Sequence, residues 1–210
     1  MKQLMRHDAC LPIYRQKKLN SQSTYRLLCY GLVLLSGICL SSVALGDQND
    51  ARLPALFDTL QGATNPLEAS QTEQEIWRIW HTSPNDQAHT MMLQARAALD
   101  SGDPEAAIKN LDTLVNTNPD FAEAWNQRAI VRYLTGDYQG SLSDVKRTVA
   151  LEPNHFGAYS GMGQCLIQLE QPEAALDAFQ TALDIHPWLA NIRQQIDFLR
   201  AYVNARKKPI

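Results

Sequence analysis

Cysteine is almost missing from most of this 210-residue chain. Three of the four cysteines lie before residue 40, and Cys165 is the only one after it. Because residues 47–210 contain no second cysteine, no intramolecular disulfide can form within them. Cys165 has a small neighbour, Gly163, and no evident base beside it, which predicts a small buried hydrophobe rather than a reactive thiol.

The sequence also lacks the motifs of common hydrolases and phosphate-binding enzymes. It contains no G-x-S-x-G, H-E-x-x-H or P-loop pattern. No two histidines after residue 46 have the i, i+4 spacing of a helical metal site, and none lies near a cysteine pair. These histidines are His81, His89, His155 and His186. We therefore predict no catalytic residue, no metal site and no cofactor, and a protein that is not an enzyme.

Positive charge is scarce once the first 46 residues are set aside. Residues 47–210 contain 13 Lys and Arg against 21 Asp and Glu, a net charge of −8, whereas the whole chain has −3. Because an acidic surface repels polyanions, we predict that neither nucleic acid nor an anionic membrane surface is a partner. The basic cluster Arg206-Lys207-Lys208 is interpreted as a solvated helix end that complements the helix dipole.

The one long hydrophobic run extends from Leu27 to Leu45 and follows a basic segment. This order is typical of a secretory signal, and Ala44 and Gly46 supply the small residues of a cleavage site. The run is also long enough for an uncleaved anchor whose N-terminus stays in the cytoplasm. Residues 1–46 are therefore interpreted as a signal peptide or a signal anchor. In both cases we expect an exported, periplasmic protein, which contacts the inner membrane only through an uncleaved N-terminal segment.

The rest of the sequence is organised by Pro119, Pro153 and Pro187, which are spaced 34 residues apart. A fixed period of this length is typical of a stacked repeat array. The segments 88–121, 122–155 and 156–189 align with large residues at repeat positions 4 and 24 and small residues at positions 8 and 20. Position 4 holds Met91, Trp125 and Tyr159, and position 24 holds Leu111, Val145 and Phe179. Position 8 holds Ala95, Ala129 and Gly163, and position 20 holds Ala107, Ser141 and Ala175.

Each repeat is predicted to be a helix hairpin. Small residues at positions 8 and 20 let two helices approach closely, while the large residues fill the space between turns of the solenoid. Gly102-Asp103-Pro104 marks the turn of the first hairpin, because the aspartate can cap the second helix and proline suits its first position. Gly136-Asp137 and Gln171-Pro172 repeat this signal. His155 lies at a turn between repeats, where we interpret it as an ordinary polar residue.

This pattern resembles the tetratricopeptide repeat (TPR) over residues 88–189. The resemblance implies an all-α fold, a right-handed superhelical solenoid of helix hairpins, and an interaction scaffold by class. Two repeat positions depart from the family. Position 7 holds Gln94, Arg128 and Met162 where the family favours Leu, and position 11 holds Ala98, Arg132 and Leu166 where it favours Tyr.

Helices are also predicted on both sides of the repeats. Residues 47–87 contain a short helix over 53–60 and a second helix that ends at Trp80. Ile76, Ile79 and Trp80 share one face of this second helix. We interpret the helix as a cover for the open end of the first repeat, and the alternative is an exposed partner surface at Trp77 and Trp80. The Glu-Ile-Trp-x-x-Trp stretch also resembles small, signal-bearing proteobacterial TPR proteins.

Residues 190–210 are predicted to form a closing helix, which repeat arrays require at their end. Four apolar residues at helical spacing would cover the last repeat. These are Ile192, Ile196, Leu199 and Val203.

The resemblance also implies a concave groove lined by positions 2, 5, 9 and 12 of each first helix. The candidate binding residues are Met92, Arg96, Leu99, Asn126, Ile130, Tyr133, Gln164 and Ile167, with His89, Glu123, Gly157 and Ser160 completing the set. Apolar residues mixed with amides and one arginine favour a partner helix or an extended peptide. Members that hold chaperone C-termini have basic residues at positions 2 and 6, where this chain has Gly157 and Gly161, so we expect no such clamp.

We therefore predict a noncatalytic, exported scaffold or assembly factor that binds another protein of the cell envelope. The alternative is an accessory subunit that recruits or positions substrate for an envelope enzyme complex.

Overall fold

The computed structural model describes residues 47–207. The predicted signal segment, residues 1–46, lies outside the described residues. Within the described range the chain is helical, with no strand. The helices are α1 (Leu53–Gly62), α2 (Pro66–Trp80), α3 (Asp86–Asp100), α4 (Pro104–Thr117), α5 (Ala122–Leu134), α6 (Tyr138–Leu151), α7 (Phe156–Gln168), α8 (Pro172–Ile185) and α9 (Ala190–Lys207). Two leading helices, three hairpins and a closing helix follow in the predicted order.

Each of the three hairpin turns contains one residue in the left-handed conformation, at the same repeat position. Gly102 and Gly136 have φ values of +79° and +86°, which glycine adopts without a steric penalty. The third turn places Glu170 at the equivalent position with φ of +59°. The Asp103 side chain accepts the Ala106 N–H at 2.9 Å, so the predicted cap of α4 is confirmed.

The small residues at positions 8 and 20 pack between the helices as predicted. A Cβ added to Gly163 would lie 2.4 Å from the Phe179 ring, so this ring uses the space that a larger side chain would fill. The Ser141 hydroxyl donates to the Ala129 carbonyl at 2.7 Å, which joins α6 to α5 within the second repeat. Cys165 is buried beside Ser141, and burial raises the pKa of its thiol, as expected of an inert residue.

The closing helix α9 covers the last repeat with its predicted stripe. Ile192, Ile196 and Leu199 are buried in one cluster with Phe179 of α8. This packing shields the apolar end of the array from water, so the role of α9 follows its sequence pattern.

The leading helices do not cover the first repeat, and that prediction is wrong. The cluster that buries Ile76, Ile79 and Trp80 contains Phe156 and Ile185 from the third repeat and no residue of segment 88–121. The α1–α2 unit, here called the leading pair, therefore packs beside the third repeat. The apolar face of α2 packs on Phe156 and Ile185, which lie far along the chain. Helical periodicity predicts that this face is buried but not which residues bury it.

Candidate functional site

The repeat edge consists of the loops that join successive repeats, residues 118–121, 152–155 and 186–189, and α2 runs along it. Glu73 lies near His186, Trp80 contacts Glu152, and His81 faces Glu123 at the start of α5. The groove positions next to this edge are therefore covered by the chain's own helix.

Trp77 covers Gly157, which is position 2 of the third repeat. A Cβ on Gly157 would lie 2.6 Å from Cη2 of Trp77, so only glycine leaves room for this indole. The Trp77 ring also meets Phe156 edge-on, with ring centroids 5.4 Å apart. Gly157 is thus a packing residue here and not an open part of the groove.

Glu123 and Asn126, two further groove positions, are buried. The carboxylate of Glu123 accepts hydrogen bonds from Asn126 Nδ2 at 3.1 Å and from Gln127 Nε2 at 2.5 Å. Nε2 of His155 lies 3.1 Å from Oε2 of Glu123, and Nε2 of His81 lies 3.4 Å from Oε1. The predicted exposure of Asn126 for partner binding is therefore corrected, because its amide is used inside the protein.

The ring proton of His155 is fixed by geometry. Nδ1 accepts the backbone N–H of Ala158 at 3.0 Å and so caps the N-terminus of α7. The proton of the neutral ring must then be on Nε2, which donates to Glu123 Oε2. A metal ligand needs a lone pair at Nε2, so the histidine–carboxylate cluster in this arrangement does not provide a metal site.

The carboxyl group of Glu123 stays ionised despite its burial. Desolvation raises its pKa, but the hydrogen bonds from His155 and Gln127, together with the nearby His81 ring, outweigh it and leave the pKa below its ordinary value. A buried carboxylate is tolerated only when such donors surround it. Glu123 is therefore an internal anchor of the fold.

Trp80 is also an internal residue. It is 1% exposed, and its indole stacks on His155 with ring centroids 4.1 Å apart and an interplanar angle of 8°. Its Nε1 donates to Glu152 at 3.4 Å, and burial raises the pKa of the Glu152 carboxyl. The suggestion that Trp80 belongs to an exposed partner surface is thus wrong, and Trp77 is only partly exposed.

The other half of the predicted groove is open. Ile130 is 41% exposed and the Arg96 side chain 71% exposed. The remaining predicted binding residues in this half are partly exposed: Met92, Leu99, Tyr133, Gln164 and Ile167. The structure thus divides the predicted set into a covered half at the repeat edge and an open half, which we call the open groove.

The two departures from the family pattern in the second repeat form an ion-pair network. Arg128 makes a two-pronged contact with the buried Asp144, with distances of 2.9 and 2.7 Å, and also contacts Asp112 of α4 at 2.7 Å. Arg132 contacts the same Asp144 at 2.9 Å. These arginines replace apolar contacts with charged hydrogen bonds between α4, α5 and α6.

Sequence reasoning missed two buried histidines of the repeat edge. His155 was interpreted as an ordinary turn residue, but it is fully buried between Trp80 and Glu123. His186 is also buried, with Nε2 3.3 Å from Glu73 but poorly aligned for a hydrogen bond. The one available signal was the position of His155 just before α7, where a side chain can act as an N-cap.

Comparison with known proteins gives the family. The tetratricopeptide repeat model matches residues 92–145 and 135–187. A TPR repeat-containing protein of Rhizobium etli is 34% identical over 148 residues, which cover 70% of this chain and 72% of that protein. The chain belongs to the tetratricopeptide repeat family. The Rhizobium protein also fits the proposed likeness to proteobacterial TPR proteins, and the family places the chain among proteins that mediate protein–protein interaction.

A further relative matches a shorter part of the chain, and solved structures below 25% identity share the fold. Bovine tetratricopeptide repeat protein 36 is 32% identical over 84 residues, 40% of this chain and 45% of that protein. The first TPR domain of Spaghetti (RPAP3), solved with an HSP90 peptide, has a TM-score of 0.56 at 18% identity, covering 59% of this chain and 98% of that one. MamA has a TM-score of 0.55 at 20% identity, covering 74% and 83%. The predicted all-α TPR solenoid is confirmed.

Proposed function

We propose that this TPR protein is a noncatalytic, exported scaffold or assembly factor that binds another envelope protein in its open groove. The observation that carries the proposal is the exposure of Ile130, which no helix of the leading pair covers. Leu134, one turn further along α5, is 58% exposed. Exposed apolar residues on a concave surface are a typical feature of a peptide-binding site.

The chemistry of the open groove suits a helix or an extended peptide. Leu99, Ile130 and Ile167 offer aliphatic contacts, and Tyr133 and Gln164 add polar groups that can fix the register of a peptide. Arg96 contacts Asp100 only at 4.0 Å, so its guanidinium is free to donate hydrogen bonds to a carboxylate or carbonyl oxygen of the ligand.

A chaperone C-terminus is a poor candidate for this ligand. The Spaghetti (RPAP3) domain was solved with the HSP90 peptide SRMEEVD, which is rich in carboxylates. In this chain, position 2 of the second and third repeats holds a buried, ionised glutamate and a glycine under an indole. A peptide carboxylate would meet repulsion there, so we propose a less acidic segment as the ligand.

Export is supported by the order of basic and apolar residues in segment 1–46. Among residues 47–207, no helix combines the length and apolar character needed to cross a membrane. Intact-mass measurement on protein from the native host tests the proposal. A mature N-terminus at Leu45 or Asp47 supports cleavage, retention of Met1 in a membrane fraction supports an anchor, and full-length protein in the cytoplasm contradicts export.

Groove binding is tested by site-specific photocrosslinking in the native host. A photoreactive residue at position 130 or 133 should give one discrete crosslinked product. With the photoreactive residue at position 133, the substitution Ile130→Asp should abolish that product. Position 67 is the matched control, because Leu67 is 68% exposed but lies on α2. A product from position 67 and none from position 130 would place binding elsewhere.

The identity of the crosslinked protein separates the two predicted functions. A structural envelope protein supports the scaffold or assembly factor. A hydrolase or synthase supports the alternative, an accessory subunit that positions substrate for an enzyme complex.

A further inference from the structure

A surface cleft of about 390 Å³ lies between α6, α7 and α8, and it shares no residue with the open groove. We call it the outer cleft. Its lining is mainly apolar and includes Met162 and Leu166 of α7 and Ala178 of α8. Two charged residues also line it, Lys146 on the α6 side and Asp177 on the α8 side. An apolar cleft of this size with a few polar groups has the character of a small-molecule site.

The equivalent space one repeat earlier is filled by the protein itself. Arg128 and Arg132, at positions 7 and 11 of the second repeat, reach between α4 and α6 and contact aspartates on both helices. Met162 and Leu166 hold the same positions in the third repeat. Because these two side chains are shorter than arginine and uncharged, they leave the space between α6 and α8 open.

The residues that hold the arginines are also exchanged. Asp112, at position 25 of the first repeat, contacts Arg128 at 2.7 Å, but position 25 of the second repeat is Lys146. Position 23 changes in the same way, from Asp144 in the second repeat to Ala178 in the third. The α6 side of the outer cleft therefore presents an ammonium group where the earlier cleft presents a carboxylate. This exchange favours an anion in place of the cation.

The ammonium group of Lys146 is available for such an anion. Within residues 47–207 it makes no hydrogen bond and no ion pair, and its side chain is exposed. The neighbouring Arg147, in contrast, pairs with Asp120. A lysine is a point charge on a flexible stem, so it can follow a carboxylate at the edge of the cleft. Asp177 repels the same carboxylate, which places the anionic group on the α6 side.

We propose that the outer cleft binds a small amphiphile, with an unbranched apolar chain over Met162 and Leu166 and a carboxylate head at Lys146. The lining residues of α8 extend from Ala174 to Thr181, about 10 Å along the helix, which suits a chain of medium length. Such a ligand replaces the two arginine side chains of the earlier cleft, with the sign of the charge reversed. The site does not depend on the open groove or on export.

The test is photolabelling of the full chain in phosphatidylcholine nanodiscs with a diazirine-bearing decanoate. Labelled residues are located by tandem mass spectrometry, and we expect them in α6, α7 and α8. Unlabelled decanoate should suppress this label. Decanol, which has the same chain without the charge, should suppress it at least about threefold less effectively.

Three variants examine the two halves of the ligand. Lys146→Gln should lower labelling of the outer cleft about threefold, because the head group loses its ion pair. Lys109→Gln is the matched control, since Lys109 is an exposed lysine of α4 that does not line the cleft. It should leave the labelling unchanged. Ala174→Leu places a larger side chain at an exposed position of the lining and should abolish the label while the melting temperature stays the same.

Three results overturn the proposal. The first is label found only outside α6, α7 and α8. The second is equal labelling of the outer cleft in wild type and Lys146→Gln, which removes the carboxylate head. The third is equal competition by decanol and decanoate, which removes it independently of any substitution. Because Lys146 is exposed, its replacement leaves the fold intact, and the comparison with Lys109→Gln decides even where Ala174→Leu is destabilised.

Discussion

The Trp77 indole lies where the side chain of residue 157 would begin, with Cη2 2.6 Å from the position of a Cβ on Gly157. Gly157→Ala should therefore displace Trp77 and destabilise the protein by about 1–3 kcal/mol, the usual cost of overpacking. Gly161→Ala is the matched control on the same helix, because its Cβ would meet only Val145 Cγ2 at 3.9 Å. Urea unfolding measures both, and equal stability of the two variants would show that Trp77 does not require Gly157.

The Arg128–Asp144 pair gives a second prediction. Arg128→Leu restores the residue type that the family favours but leaves the buried Asp144 with Arg132 alone, so it should cost about 3 kcal/mol. Arg128→Leu combined with Asp144→Leu should recover stability to within about 1 kcal/mol of wild type. Arg147→Leu is the control, because its pair with the exposed Asp120 should contribute less than about 1 kcal/mol. A double variant as unstable as Arg128→Leu would contradict this account.

The turn of the third hairpin should be improvable. Glu170 has φ of +59°, whereas glycine stands at the same position in the other two repeats. Glu170→Gly should raise stability by about 0.5–1 kcal/mol, because glycine has no steric penalty in this conformation. Glu173→Gly, inside α8, should instead lower it by about 1 kcal/mol. Thermal melting of both variants checks the prediction, and a lower melting temperature for Glu170→Gly would refute it.

Acid sensitivity should depend on Glu123. Because its pKa is held below the ordinary value, the stabilisation from its carboxylate is present above about pH 4.5 and is lost as the pH falls through the folded-state value. Glu123→Gln should cost about 1–3 kcal/mol at pH 7 and clearly less at pH 3.5. Asp58→Asn, on the exposed face of α1, should have little effect at either pH. Urea unfolding midpoints measured between pH 7 and pH 3.5 check this prediction. A stability loss from Glu123→Gln that stays the same in acid would show that the ionised carboxylate of Glu123 does not stabilise the fold.

Sequence reasoning succeeded where short-range or periodic rules apply. The turn at Gly102, the cap at Asp103 and the close packing at Gly163 follow from local steric and hydrogen-bonding requirements. The apolar stripe of α9 follows from the 3.6-residue period. Each of these features could be predicted because its determinants lie within a few residues or one repeat period.

The same reasoning failed where distant residues meet. The apolar face of α2 was recognised, but its partner, Phe156, lies 80 residues after Ile76 and carries no signal of the pairing. The groove positions came from family geometry, which does not include a helix that covers half of them. His155 was underestimated because its burial depends on Trp80, a residue from outside the repeats.

The position of the leading pair also affects how the chain reaches its fold. In an ordinary solenoid each repeat touches only its neighbours, so folding can start anywhere and spread. Here Gln61 contacts the Asp184 carbonyl at 3.4 Å across 123 residues, and Trp80 contacts Glu152 across 72. Helices α1 and α2 therefore lack their main packing surface until the third repeat has been synthesised. These long loop closures raise the contact order of the molecule above that of its repeats, so the docking of the leading pair on the third repeat should be a slow, late folding step.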